Sequence, residues 1–136
     1  MLEVLYEDNH LIAINKKSGD IVQGDKTGDA PLSDFVKAYI KKKYNKPGEV
    51  FLGTIHRLDR PTSGIVLYAR TSKALTRMNE QFREKQVQKT YWAVVDNAPP
   101  NTSGTLENYL QKNQKQNKSF VTKGAEGKHA VLDFKL

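Results

Sequence analysis

Only two stretches of this chain carry the three-to-four-residue apolar spacing of a helix, and this limits the architecture more than any other feature. From Pro31 to Lys46, Leu32, Phe35, Val36, Tyr39 and Ile40 fall on one helical face. Pro31 suits a first turn, and Pro47-Gly48 ends the segment. From Ser72 to Val87, Leu75, Met78 and Phe82 share one side, and Thr71 or Ser72 can cap the start. The other regular patterns are short and β-prone: Glu3–Tyr6, Leu11–Asn15, Val50–Leu52, Ile65–Ala69, Lys89–Val95, Leu106–Leu110, Phe120–Thr122 and His129–Leu136. Two helices among so many short strands cannot supply the strand-helix-strand rhythm of a parallel sheet. The expectation is an α+β fold, a mixed and largely antiparallel sheet with flanking helices.

Details sharpen this outline. "EDNH" places Asp8 and Asn9, which tolerate turn geometry, between the first two strands, so a hairpin is expected there. "KTYWAVV" alternates with Tyr91, Ala93 and Val95 against Thr90, Trp92 and Val94, apolar or aromatic on both sides. That pattern predicts a strand covered on both faces. Ala98 to Gly127 turns polar and reads as a long loop or ragged hairpin. The chain of 136 residues suits one domain, and it stops at Leu136 inside a strand pattern, so it is expected to be a piece of something longer.

Charge points to a partner. Lys plus Arg number 22 against 15 for Asp plus Glu, a net +7. Such an excess favours a polyanion, and nucleic acid fits better than a membrane surface because no basic amphipathic helix has a strong Trp- or Phe-rich face. Lys37, Lys41, Lys42 and Lys43 lie on the polar face of the first helix, as a solvated, dipole-matched face or as a phosphate-facing patch. There is no cysteine, which excludes disulfides and thiolate metal sites. The N-terminus lacks the pattern of a signal peptide, and no apolar run reaches the ~18 residues that span a bilayer. A cytoplasmic protein with no membrane partner is expected.

Several chemistries leave no trace. The glycine-rich phosphate loops are absent, Ser63 lacks the glycine pattern of a nucleophile elbow, and His10, His56 and His129 have no partners at metal spacing. What stands out is "IHRLDRPTSGIVLY", residues 55–68, where Asp59 is hemmed in by Arg57 and Arg60 with His56 nearby. Read as extended chain, Arg57 and Asp59 face one way, and His56, Leu58 and Arg60 the other. Arg57 would then hold Asp59 ionised, suiting a nucleophile or a base. The plainer explanation is a surface ion pair worth about 0–1 kcal/mol. In the same way, "KTYWAVV" is core packing or a base-stacking platform.

These residues resemble a family. "HRLDRPTSGIVLYARTSKALTRMNEQFREKQVQKTYWAVV" is similar to the central segment of the RluA-type pseudouridine synthases, and "VLYEDNHLIAINKKSGDIVQGD" resembles their first hairpin and the loop after it. The resemblance runs from about residue 3 to residue 96. It implies isomerisation of uridine in ribosomal or transfer RNA to pseudouridine, by detaching the uracil at N1, turning it and reattaching it through C5, with no cofactor and no metal. It makes Asp59 the catalytic aspartate, attacking C1′ or taking the C2′ proton. Arg57 corresponds to the arginine that fills the gap left by the flipped nucleotide, and Tyr91 to the tyrosine that stacks on the uracil. Lys89 is assigned to phosphate, and Arg60 and Thr62 to support. The family's downstream "TGRxHQIR" segment has no counterpart here, so residues 1–136 are expected to be a single catalytic domain truncated at its C-terminal end. A different class of reading, a non-catalytic basic RNA-binding module, would need only the lysines and aromatics.

Overall fold

A computed structural model describes residues 2–124 and 126–136. The chain divides into two compact units, Met1–Thr90 and Tyr91–Leu136. In the first, strands β1 (Val4–Glu7) and β2 (Leu11–Lys16) form the expected hairpin. Its turn is built by Asp8, whose carboxylate accepts from the backbone N–H groups of His10 and Leu11, each at 2.7 Å. The bond from Leu11 first, then one from the Tyr6 hydroxyl at 2.7 Å and the one from His10 hold the Asp8 carboxyl down at about 2.

Helix α1 (Leu32–Lys43) follows, then β3 (Gly53–Thr54), β4 (Gly64–Ala69) and helix α2 (Ser72–Arg83). The sheet runs β1-β2-β4-β3 and every ladder is antiparallel. Register puts Ile12 opposite Tyr68 and Ile14 opposite Val66, so these four share one face. Leu32, Val36 and Ile40 of α1 close over that face and form the core with them and Val22. The Tyr68 hydroxyl, buried there, donates to the Val22 carbonyl at 2.7 Å. Gly53 pairs with Ala69 on the opposite face, where a Cβ on Gly53 would lie 2.8 Å from Leu75 of α2. The two helices therefore cover opposite faces of the sheet.

Three sequence expectations shift here. The strand expected at Val50–Leu52 forms at Gly53–Thr54, because pairing with β4 selects which residues of an extended run become a ladder. Helix α1 ends at Lys43 rather than Lys46, and α2 at Arg83 rather than Val87. Asn45 and Lys85, each at positive φ, turn the chain out of the helices just beyond those ends. Thr71 is the N-cap of α2, its hydroxyl accepting from Ala74 N–H at 3.2 Å.

The larger correction concerns Lys89–Val95. These residues form no strand. Trp92 is 98% exposed, and neither face is covered as the alternation predicted. A strand needs a hydrogen-bonded neighbour as well as an alternating pattern, and among the described residues none pairs with this segment.

The second unit is a three-stranded antiparallel sheet in the order β6-β5-β7, from β5 (Ser103–Asn113), β6 (Lys118–Val121) and β7 (Lys128–Lys135). β5 is far longer than the expected Leu106–Leu110, because β7 pairs along it from Ser103 to Leu110 and β6 from Leu110 to Asn113. Thus the α+β class with antiparallel pairing and packed helices is present, its strands spread over two sheets.

Candidate active site

The motif segment lies in the first unit, as the connection from β3 to β4. Its inward residues anchor it. Leu58 packs against the core. His56 stacks on Phe82 of α2, ring centroids 5.2 Å apart, and its Nε2 accepts from Leu67 N–H at 3.0 Å. A ring nitrogen that accepts is unprotonated. Burial pushes the His56 imidazole below its ordinary value, and the Lys89 ammonium adds to the shift.

Arg57 and Asp59 are both exposed. Arg60, which the alternation placed on the other side from them, is exposed as well. The alternation ends at a turn, closed by Thr62 N–H donating to the Asp59 carbonyl at 3.0 Å. Gly64 then re-enters β4 at φ 130, a conformation that suits glycine.

The strongest anchor is Lys16, at the end of β2. It has no solvent exposure, yet its ammonium donates to the carbonyls of Lys17 at 3.1 Å, Arg60 at 3.0 Å and Thr62 at 2.6 Å. Burial pushes its pKa down, and the carboxylates of Asp20 and Asp59 oppose that. A second tie joins the loop after β2 to the same turn: Gly19 N–H donates to the Arg60 carbonyl at 2.8 Å, and Arg60 Nε returns a bond to the Gly19 carbonyl at 3.0 Å.

Arg60 is further engaged with Asp29 at 2.8 Å. Among the described residues Asp59 forms no ion pair with Arg57 or Arg60. The Asp59 carboxylate instead acts on buried Lys16, which sequence reasoning did not single out. The signal was there: in "LIAINK" the alternation places Lys16 on the same buried face as Ile12 and Ile14.

The structure thus gathers Asp59, Arg60 and Thr62 on one turn held by Lys16, with Arg57 two residues before Asp59 and Lys89 near enough to act on His56. Tyr91 opens the second unit, is 59% exposed and lies outside any strand. Of the lysines noted on α1, Lys37, Lys41 and Lys42 are exposed, whereas Lys43 is committed to Glu7 at 2.8 Å. Among the described residues no helix is long and apolar enough to cross a membrane, and no three His, Asp or Glu side chains converge as a metal site.

The chain is similar to several known proteins. An RNA pseudouridine synthase of Chlorobaculum parvum, itself uncharacterized, is 35% identical over 99% of this chain and 43% of its own length. The ribosomal large subunit pseudouridine synthase C of Buchnera aphidicola from Schizaphis graminum is 38% identical over 98% of this chain and 41% of its own length. The solved structure of human RNA pseudouridylate synthase domain containing 4 superposes with a TM-score of 0.76 at 25% identity, covering 95% of this chain and 51% of that one. The chain therefore spans less than half the length of the curated relatives it matches. Residues 10–136 match the family described as RNA pseudouridylate synthase, and the chain belongs to that family.

Proposed function

We propose that this chain is the Asp59-bearing part of an RNA pseudouridine synthase that acts in the cytoplasm without metal or cofactor. Asp59 is its catalytic carboxylate. It attacks C1′ of the target uridine or removes the C2′ proton, and the N1–C1′ bond breaks. The freed uracil turns and C5 bonds to C1′, displacing Asp59 from C1′ in the first route or with the proton returned to C2′ in the second; C5 then loses its proton and N1 gains one. A base inside a stack hides its glycosidic bond, so the nucleotide must leave the helix first. Arg57 fills the gap, Tyr91 stacks on the extruded uracil, Lys89 meets phosphate, and Arg60 and Thr62 support the turn. The RNA is ribosomal or transfer RNA. Bacterial relatives are named for the large ribosomal subunit, which makes that RNA the first to test.

One observation carries the reading. Asp59 is an exposed carboxylate on a turn whose backbone is tied down from beneath by a buried ammonium. If it existed only to neutralise its neighbours, Arg60 would engage it, yet Arg60 turns to Asp29. A preorganised backbone under an available carboxylate is what a nucleophile or base requires. A non-catalytic RNA-binding module has no use for an acid there.

The test is Asp59→Asn in the full-length protein, with pseudouridine mapped in ribosomal and transfer RNA. The amide can neither attack nor accept a proton, so turnover is lost while RNA binding and folding survive. A folded variant that forms pseudouridine near the wild-type rate would overturn the assignment.

A further inference from the structure

The β5–β6 hairpin carries chemistry that the Asp59 turn does not use. Between Glu107 and Glu126 the sequence holds Lys112, Lys115, Lys118 and Lys123 and no carboxylate. Register pairs Gln111 with Phe120 and Asn113 with Lys118, so these four side chains share one face of the ribbon. Gln111, Lys112, Asn113, Gln114, Lys115 and Phe120 border an open concavity of about 540 Å³. That is within the ~300–1,000 Å³ range of small-ligand sites.

The tip is built rather than slack. Asn113 Oδ1 accepts from the backbone N–H groups of Lys115 at 3.0 Å and Gln116 at 3.2 Å. Asn117 closes the turn at φ 49, a left-handed conformation that asparagine tolerates. Phe120 is 47% exposed in the concavity, an apolar ring among amides and ammonium groups.

This combination matches one ligand chemistry. An aromatic face accepts a base, amides can meet its polar edge, and lysines without carboxylates nearby meet phosphate. The bases of a duplex are stacked on each other and cannot reach a side-chain ring, so the ligand must be unpaired. We propose that the β5–β6 hairpin is an additional RNA contact that takes an unpaired nucleotide, its base stacked on Phe120 and its flanking phosphates held by Lys112, Lys115 and Lys118. The proposal rests on RNA as the partner and is independent of the chemistry at Asp59. An acidic protein partner would use the lysines but would not require an aromatic ring of defined shape.

The experiment measures binding of full-length protein to fluorescein-labelled single-stranded oligouridine by anisotropy, with circular dichroism confirming each variant's fold. Phe120→Leu is expected to weaken binding by about 10-fold, while Phe120→Tyr, which keeps a stacking face, stays within about 2-fold of wild type. The combined variant K112Q/K115Q/K118Q is expected to lower the slope of log affinity against log salt by about 2, at ~0.7 per phosphate contact on a single strand. The same losses are expected in an Asp59→Asn background, because binding does not need turnover. Leu and Tyr variants that bind alike at wild-type affinity, or a salt slope unchanged in the triple variant, would overturn the proposal. If wild type makes pseudouridine and the hairpin variants bind normally, this inference fails and the enzyme reading stands. If the hairpin variants lose binding and wild type makes none, the enzyme reading fails and this inference stands.

Discussion

Lys16 donates to the Thr62 carbonyl at 2.6 Å from a side chain with no solvent exposure, joining two residues 46 positions apart. The same ammonium reaches the Arg60 carbonyl at 3.0 Å. Asp59 therefore sits on a turn whose backbone is held from inside the fold, leaving its carboxylate to project outward. Burying an ammonium is costly, and three carbonyl acceptors offset that cost only while the turn keeps its shape. The bond is thus a stability element and a positioning device together.

Lys16→Met tests both roles. Methionine fills the stem's space but donates nothing, so the carbonyls of Lys17, Arg60 and Thr62 all lose the ammonium; Arg60 keeps the bond from Gly19 N–H and Lys17 the one from Asp20 N–H. Urea denaturation should show a loss of about 2–4 kcal/mol. Turnover on RNA should fall further than the unfolded fraction explains, because the turn loosens while Asp59 remains. A variant of wild-type stability would show that the buried ammonium does not anchor the turn.

His56 should make the fold acid-sensitive at mildly acidic pH. Its folded pKa lies below the ordinary 6.5. A depressed imidazole contributes stability that is present above 6.5 and is lost as pH falls through the lower folded value. Protonation also removes the lone pair that Leu67 N–H donates to. His56→Gln, whose amide oxygen can accept that bond, should flatten the decline in thermal midpoint just below pH 6.5. An unchanged pH profile would remove His56 as its source.

Glu7 ties the first hairpin to the end of α1. Its carboxylate accepts from Lys43 Nζ at 2.8 Å, Tyr39 OH at 2.9 Å and Tyr44 OH at 2.5 Å. Burial raises its pKa, but the bonds from Lys43, Tyr44 and Tyr39 together outweigh burial and hold it below 4.5. The stability it contributes is present above 4.5 and lost as pH falls through the lower folded value. Glu7→Gln should cost about 1 kcal/mol at neutral pH and shrink the acid limb below 4.5, read by denaturation across that range. Equal acid limbs in both proteins would contradict this.

Gly53→Ala probes the packing of α2 on β3. The added Cβ would lie 2.8 and 2.9 Å from the two methyls of Leu75 and 3.1 Å from its Cγ. Leu75 must move, at a cost of about 1–3 kcal/mol. Leu75→Ala in the same chain should recover part of that loss, and a double-mutant cycle by chemical denaturation measures the coupling. Additive effects would mean that the two residues do not meet.

Much of this protein was legible in the chain because it depends on near neighbours. The Asp8 turn, the α1 face of Leu32, Val36 and Ile40, the Thr71 cap and the β4 run follow from relations within a few residues, which sequence displays directly. The motif around Asp59 was legible for the same reason. Partner choice across long separations was not. Whether Arg60 meets Asp59 or Asp29, whether Lys16 reaches Thr62, and whether "KTYWAVV" finds a strand to pair with depend on which segments the fold brings together. A lysine, a carboxylate or an alternating run looks the same in sequence with or without its partner, and only tertiary packing supplies or withholds the second half of the bond.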